Sequence, residues 1–193
     1  MRKAALHNLG CKVNSYETEA MTQLLKKAGY EFVSFQDQAD VYIINTCSVT
    51  NMADRKSRQM LHKAKKQNPN AVVVATGCYV QTATEKVVQD LSIDLVVGNN
   101  RKKDIVEILN EYYAEKEAGE QVKEEYVIDI NHTDEYEDLE ISTVTEHTRA
   151  HLKIQDGCNN FCSYCIIPYA RGRIRSRTME SIKAELERLS ASG

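Results

Sequence analysis

Two kinds of hydrophobic pattern alternate along the first 118 residues of the chain. Continuous apolar runs, which a strand covered on both faces requires, occur at residues 40–46 and 71–76, and weaker runs occur at residues 3–9, 31–35 and 93–97. Between these runs, apolar residues recur at helical spacing in the ranges 14–28, 50–66, 82–91 and 102–117. Strands that alternate with helices predict an α/β domain with a mainly parallel sheet flanked by helices.

The pattern changes after residue 118. Residues 119–148 are acidic and poorly periodic, with one short strand pattern at residues 126–130, and we interpret them as a linker. Residues 149–156 predict a strand, and Thr178 is a suitable N-cap for a helix that runs to Leu189. One strand, one loop and one helix cannot bury a core of their own. We therefore expect residues 149–193 to be the first βα unit of a truncated domain, and the chain to be an N-terminal fragment.

Composition narrows the class of protein. The hydrophobic content of 42% suffices for a core, and the net charge of -3 is ordinary for a soluble protein. No apolar run reaches about 18 residues, and the start of the chain has no apolar segment of the length that a secretory signal requires. We expect a cytoplasmic protein with no membrane partner, whose six cysteines serve metal or redox chemistry and not disulfides.

Three cysteines lie in one loop directly after the predicted strand at residues 149–156. Cys158, Cys162 and Cys165 are spaced by three and then two residues. Three thiolates in one loop can hold three corners of a metal cluster and leave the fourth corner open. A structural zinc site normally needs four protein ligands, and no further cysteine or well-placed histidine follows Cys165. His151 is interpreted as a packing or surface residue.

The other three cysteines are far apart in the sequence but hold equivalent positions. Cys11, Cys47 and Cys78 each follow the end of a different predicted strand. The carboxyl ends of parallel strands share one edge of the sheet, so these thiols can converge on one metal site. The alternative is three small buried hydrophobic residues without a ligand role.

Two asparagines lie beside these cysteines. Asn14, followed three residues later by Glu17, predicts a capping box at the start of the first helix. Asn45 is open between a capping role and a hydrogen bond near the cysteines.

Four arginines alternate just after the cysteine loop: Arg171, Arg173, Arg175 and Arg177. On an extended segment they would share one face suited to phosphates, which predicts RNA binding. A solvated basic run, or pairing with carboxylates inside the protein, are the alternatives.

The cysteine loop resembles the CxxxCxxC motif of radical S-adenosylmethionine enzymes. Its flanking sequences, QDG at residues 155–157 and IIPYARGR at residues 166–173, and the sequence GCKVN at residues 10–14 are similar to those of the methylthiotransferases. The form GCKVN resembles the branch that acts on threonylcarbamoyladenosine in transfer RNA. Members of this family have an N-terminal cluster domain, a radical barrel and a C-terminal RNA-binding domain, so the resemblance implies that residues 149–193 begin a radical SAM partial barrel.

The resemblance also implies cofactors and roles. Cys158, Cys162 and Cys165 would hold a 4Fe-4S cluster whose open iron binds S-adenosyl-L-methionine, which yields the radical that removes hydrogen from carbon 2 of the adenine. Cys11, Cys47 and Cys78 would hold a second 4Fe-4S cluster that delivers sulfur. Tyr164 would lie near the adenine of the cofactor, with packing as its alternative role. Transfer RNA and an electron-donating reductase system are the implied partners.

The leading functional prediction is methylthiolation of threonylcarbamoyladenosine next to the anticodon of transfer RNA. The alternatives are a methylthiotransferase for isopentenyladenosine in transfer RNA or for a ribosomal protein, or a non-enzymatic zinc module that binds nucleic acid. We expect the fragment to be inactive, because the barrel that should enclose the substrate is incomplete. An unpaired strand edge predicts a possible non-native dimer of the fragment.

Overall fold

A computed structural model describes residues 1–119, 124–143 and 149–192. The strands are β1 (Lys3–Asn8), β2 (Glu31–Phe32), β3 (Val41–Thr46), β4 (Val72–Gly77), β5 (Leu95–Val97), β6 (Glu124–Tyr126), β7 (Gln155–Asp156) and β8 (Arg175–Ser176). The α-helices are α1 (Lys12–Lys27), α2 (Asn51–Gln67), α3 (Cys78–Thr82), α4 (Thr84–Val88), α5 (Ile105–Glu117), α6 (Ile167–Arg171) and α7 (Met179–Ala191). Across the described ranges, no helix is both long and apolar enough to cross a membrane.

The main sheet has six strands in the order β2-β1-β3-β4-β5-β6, and every neighbouring pair is parallel. The predicted α/β class with a parallel sheet is therefore confirmed. The chain moves from β1 outward to β2 and then returns to the other side of β1 to form β3. This reversal creates a topological switch point between β1 and β3, where open α/β sheets bind their ligands.

Both faces of this sheet are covered. In β3, Val41 and Ile43 belong to the core beneath α1 and α5, whereas Tyr42 and Ile44 belong to the core beneath α2, α3 and α4. This two-sided burial explains why the apolar runs of β3 and β4 are continuous and do not alternate with polar residues.

The predicted helix at residues 82–91 is wrong in its bounds. Its place is taken by two short helices, α3 and α4, that meet at Ala83. The hydroxyl of Thr82 donates to the carbonyl of Cys78 at 3.0 Å, and that of Thr84 donates to the carbonyl of Val80 at 2.8 Å. Such local bonds compete with a continuous helix. The first helical residue after β4 is Cys78 itself.

The sheet continues beyond the predicted domain boundary at residue 118. Strand β6 pairs with β5, so residues 124–126 join the N-terminal sheet, slightly before the strand pattern at 126–130. Farther along, Leu139 and Ile141 are buried against α1 together with Leu189 of α7. Much of the predicted linker is thus packed structure, while its residues 120–123 and 144–148 lie outside the described residues.

The C-terminal part differs from the predicted long strand. Only Gln155–Asp156 of the range 149–156 is strand, and it pairs antiparallel with β8. The predicted N-cap is confirmed, because the side chain of Thr178 accepts a hydrogen bond from the backbone N–H of Ser181 at the start of α7. Both β7 and β8 flank the cysteine loop, and their pairing closes its base.

Candidate functional site

The three separated cysteines lie along the carboxyl edge of the main sheet. Cys11 is the N-cap of α1 just after β1, Cys47 directly follows β3, and Cys78 directly follows β4. The prediction that these cysteines follow the ends of different strands at one edge of the sheet is confirmed, and the three strands are neighbours in the order β1-β3-β4. Their place spans the switch point between β1 and β3.

Two glycines allow the strand ends to approach closely. A Cβ atom on Gly10 (φ +111°) would lie 2.8 Å from Sγ of Cys47, and one on Gly77 (φ +97°) would lie 2.5 Å from the carbonyl oxygen of Thr46. Side chains larger than hydrogen are therefore excluded at the residue that precedes Cys11 and at the one that precedes Cys78. These contacts hold the loops after β1 and β4 against the end of β3.

Asn14 connects the same loops. Its Nδ2 donates to the carbonyls of Leu9 at 2.7 Å and Thr46 at 2.9 Å, and its Oδ1 lies 3.9 Å from Sγ of Cys11. The predicted capping role of Asn14 is wrong: α1 begins at Lys12, and Asn14 is inside the helix. Its amide instead bonds the carbonyls of two loops at the sheet edge.

The side chain of Asn45 bonds to α1. Its Nδ2 donates to the carbonyl of Asn14 at 3.0 Å and to the hydroxyl of Thr18 at 3.1 Å, while its buried Oδ1 has no hydrogen-bond partner within the described structure. It therefore ties β3 to α1 and does not cap a helix.

The electrostatic surroundings differ between the cysteines. Cys78 is buried and Cys11 is exposed. Burial raises the pKa of the Cys78 thiol, and the nearby positive charges of Arg171 and Lys102 oppose that rise. Asn99 Nδ2 lies 4.0 Å from the same sulfur.

The edge cysteines offer three sulfur donors to a metal group. In the described ranges, no three or more Cys, His, Asp or Glu side chains are grouped closely enough to hold a metal ion. Cys11, Cys47 and Cys78 share one edge of the sheet, but in the described structure their thiols are not gathered into a coordination site. Three sulfur donors without a fourth fit a cluster with one open position better than tetrahedral zinc.

The loop of residues 158–165 has a fixed base and an exposed tip. The backbone N–H of Cys158 donates to the carbonyl of Gly172 at 3.0 Å, and that of Ile174 donates to the side chain of Asn159 at 2.9 Å. Cys162 is exposed, and Cys158 and Cys165 are half-buried. The base thus holds this set in place, and Cys162 is open to solvent.

Comparison with known proteins agrees with this arrangement. Residues 3–98 match the uncharacterized protein family UPF0004, and residues 152–193 match the radical SAM superfamily. The chain is 45% identical over 193 residues to a threonylcarbamoyladenosine tRNA methylthiotransferase of Bacillus subtilis. The aligned region covers 100% of this chain and 42% of the relative.

Two further relatives carry other substrate names. Identity is 34% over 196 residues to a tRNA-2-methylthio-N(6)-dimethylallyladenosine synthase of Bacteroides thetaiotaomicron (100% of this chain, 42% of the relative). It is 35% over 199 residues to a ribosomal protein methylthiotransferase of Acetivibrio thermocellus (100% of this chain, 43% of the relative). The chain belongs to the radical SAM methylthiotransferase family. It spans less than half the length of these relatives.

The four arginines of this methylthiotransferase-family chain do not share a face. Arg173 is exposed and lies over the ring of Phe161, with 5.4 Å between its guanidinium carbon and the ring centroid. Arg171, Arg175 and Arg177 are buried. The prediction of one common phosphate-binding face is therefore wrong, and the pairing alternative describes Arg171 and Arg177.

The reason is that each buried arginine has an internal partner. Arg171 pairs with the carboxylates of Glu17 and Asp156. Arg175 donates to the carbonyls of Ile130 at 3.2 Å and Arg171 at 3.0 Å. Arg177 pairs with Glu185 and with Asp138. The alternation of the four arginines in the sequence does not show whether their side chains meet internal partners or solvent.

Tyr164 is 91% exposed, so it does not pack against the described part of the methylthiotransferase-family chain. The predicted contact with the cofactor remains a prediction. Its position one residue before Cys165 leaves the ring free to meet a molecule bound at the loop.

One buried residue near the site was misassigned from the sequence. Glu17, predicted as a partner in a capping box, is completely buried between α1 and the C-terminal part of the chain. The available signal was its place in the buried stripe of α1, three residues after Asn14 and four before Met21. A carboxylate in such a stripe requires a cationic partner.

Proposed function

We propose that this chain belongs to an enzyme that adds a methylthio group to carbon 2 of threonylcarbamoyladenosine, next to the anticodon of transfer RNA. The observation that carries the proposal is the division of the six cysteines into two sets of three. One set lies along the sheet edge, and the other lies in an exposed loop. Neither set includes a fourth cysteine, which supports two clusters that each keep one position open.

When loaded with 4Fe-4S clusters and S-adenosyl-L-methionine, the loop set would supply a substrate radical and the edge set would supply sulfur. The chain itself supplies position and environment. Gly10, Gly77 and Asn14 hold the edge loops together, and the base of the cysteine loop is fixed by the Cys158 and Gly172 backbone bond. The exposed Tyr164 is available to the adenine of the cofactor.

The choice of nucleoside rests on two supports. The sequence GCKVN at residues 10–14 resembles the threonylcarbamoyladenosine branch, and identity to the named Bacillus subtilis relative is 45%, against 34% and 35% to relatives named for a different nucleoside and for a ribosomal protein. Those two substrates remain the competing possibilities within the family.

The remaining parts of the proposal concern setting and partners. We place the enzyme in the cytoplasm, with transfer RNA as substrate and a reductase system as electron donor. Arg173 is the exposed member of the four arginines and is therefore the proposed phosphate contact among them. We expect the 193-residue chain alone not to modify transfer RNA, since a single βα unit after the cysteine loop does not enclose a substrate.

Iron counting tests the two-site proposal. After anaerobic reconstitution, the unchanged chain should bind about eight irons, and a variant with Cys11, Cys47 and Cys78 changed to Ala should bind about four. The matched variant of Cys158, Cys162 and Cys165 should also bind about four irons. A colourless chain that holds stoichiometric zinc would favour the nucleic-acid module, and full iron binding by the first variant would leave the edge cysteines without a ligand role.

Nucleoside analysis tests the substrate. Transfer RNA from cells that lack the full-length gene should lose the methylthio mark on threonylcarbamoyladenosine and keep it on isopentenyladenosine, as measured by mass spectrometry of digested RNA. Restoration of the mark by the intact gene is the control. Loss of the isopentenyladenosine mark instead would assign the protein to the other branch.

A further inference from the structure

A buried ionic network joins the two cysteine-bearing parts of the chain, with Glu17 at its centre. Glu17 accepts from Nζ of Lys102 at 2.7 Å, from Nζ of Lys153 at 2.7 Å and from the guanidinium of Arg171 at 2.7 Å and 3.1 Å. Asp156 adds a second carboxylate, 2.7 Å from Lys153 and 3.1 Å from Arg171. None of these five side chains is more than 7% exposed.

The members come from distant parts of the sequence. Glu17 lies on α1, six residues after Cys11, and Lys102 precedes α5. The other three members flank the cysteine loop, since Lys153 and Asp156 precede Cys158 and Arg171 ends α6 after Cys165. Contacts to Glu17 therefore hold the loop on both of its sides.

The same network reaches the edge cysteines. Arg171 Nη2 donates to Oδ1 of Asn14 at 2.7 Å, and Asn14 in turn binds the carbonyls of Leu9 and Thr46 beside Cys11 and Cys47. Lys102 also contacts Oδ1 of Asn99, whose Nδ2 lies 4.0 Å from Sγ of Cys78. One set of buried contacts thus extends from the base of the loop to all three strand ends.

The physical chemistry of buried charges indicates what such a network does. Burial acts to raise the pKa of Glu17, but the three cations outweigh it and hold this pKa well below its usual range. Buried ion pairs add little net stability relative to apolar packing, yet removal of one partner leaves uncompensated charge. Bidentate contact between Arg171 and Glu17 also fixes orientation. These properties are better suited to fixing the position of the cysteine loop on the sheet edge than to adding stability.

We propose that Glu17 is a positioning residue, which docks the cysteine loop of residues 158–165 on the sheet edge and so sets the separation of the two thiol sets. The inference rests on the proposed function in one respect, that the two sets act on one substrate. The docking itself follows from contacts of the chain alone and requires no cofactor.

Hydrogen exchange on the cluster-free chain tests the docking. In Glu17→Gln, residues 153–177 should exchange about 100-fold faster or more, since loss of a buried carboxylate lowers the docking equilibrium constant by that factor. Amides of β3 and β4 should keep their protection. Glu19→Gln, which makes the same chemical change two residues along α1 and outside the network, is the matched control. Unchanged exchange in residues 153–177, or equal loss of protection in β3 and β4, would overturn the proposal.

A distance measurement distinguishes positioning from general destabilisation. Spin labels carried by keto amino acids at Met52 and Tyr164, which are 64% and 91% exposed, leave all six cysteines unchanged. Pulsed electron paramagnetic resonance should give one narrow distribution of label-to-label distances in the parent and in Glu19→Gln. In Glu17→Gln it should show a second population at longer distance. A single unchanged distance in Glu17→Gln would refute the docking role.

A second variant applies if Glu17→Gln does not fold. Lys153→Met changes a residue outside the main sheet, so it should free residues 153–177 while the sheet stays folded; retained protection there would count against the proposal. Failure of the proposed function is seen separately, as absent iron or as a methylthio mark on threonylcarbamoyladenosine that persists in cells lacking the gene. Failure of the docking is seen in exchange and distance.

Discussion

Replacement of Gly77 by alanine is the sharpest test of how the edge cysteines are placed. Gly77 has φ +97° and ψ -164°, a region essentially confined to glycine, where another residue is strained by about 1–3 kcal/mol. An added Cβ would also lie 2.5 Å from the carbonyl oxygen and 2.7 Å from the backbone nitrogen of Thr46, atoms of β3 that cannot move aside separately. Overpacking of this kind typically costs about 1–3 kcal/mol more.

Gly29→Ala isolates the first contribution, the conformational strain, because it adds no overlap. Gly29 also has a positive φ, +87°, but a Cβ there would meet nothing within 4 Å. Its replacement should therefore cost only about 1–2 kcal/mol, from the left-handed conformation. We expect Gly77→Ala to lower the free energy of unfolding by about 2–6 kcal/mol, the sum of strain and overlap.

Urea unfolding followed by circular dichroism measures both variants, and iron binding after reconstitution measures the effect on the site. Gly77→Ala should lose iron from the edge set if it folds, because Cys78 is the next residue and the loop after β4 must shift. Gly29→Ala should retain the iron content of the parent. If Gly77→Ala loses no more stability than Gly29→Ala, the close approach of β4 to β3 at Gly77 is refuted.

Three further changes test other parts of the structure. Tyr16→Phe removes a hydroxyl that lies 2.5 Å from the carbonyl of Leu139 and 2.8 Å from Glu185, so urea unfolding should show a loss of about 1–3 kcal/mol; no loss would contradict the burial of this group. Burial, and secondarily the charge of Lys63, lowers the pKa of His7 below 6.5. The unfolded chain then binds more protons, so stability is complete above pH 6.5 and falls as pH decreases below it. His7→Phe should flatten that slope, and an unchanged slope would assign it to other groups. Arg173→Ala in the intact protein should reduce the salt dependence of transfer RNA binding by about 1 in log-log slope, measured by titration at several salt concentrations, whereas an unchanged slope would exclude the phosphate contact.

The sheet and its cysteine edge were predictable because both follow from local pattern and topology. Apolar runs located β3 and β4, and the helices between them required parallel connections. Cysteines that follow such strands must then lie at one edge, whichever side chains surround them. The positions of Cys47 and Cys78 therefore needed no knowledge of tertiary contacts.

The two short helices after β4 could not be predicted in the same way. Residues 82–91 carry a helical pattern, but the threonine hydroxyls at either side of Ala83 bond to the preceding turn. The strand at residues 149–156 failed for a different reason. Its partner β8 offers only two residues for pairing, and pairing partners are not visible in a local pattern.

Polar residues around the cysteines were the least predictable, because their roles depend on partners far along the chain. Glu17 meets Lys102, Lys153 and Arg171 across sequence separations of 85, 136 and 154 residues. The spacing between Asn14 and Glu17 matched a capping box, a local motif, and the true roles of both residues are long-range. The alternating arginines were predicted to form an exposed phosphate-binding face for the same reason, because internal partners such as Glu17 are distant in the sequence.

The one local signal that could have identified the network is the conflict between charge and periodicity in α1. Glu17 lies in the stripe that also contains Asn14, Met21 and Leu25, and a helix stripe that faces a core does not retain a carboxylate without a partner. The sequence therefore required a cation near α1, although it could not say which one. That Arg171 and Lys153 supply it from the two sides of the cysteine loop makes α1 the element on which both thiol sets are positioned, with Cys11 at its N-cap and Glu17 in its second turn.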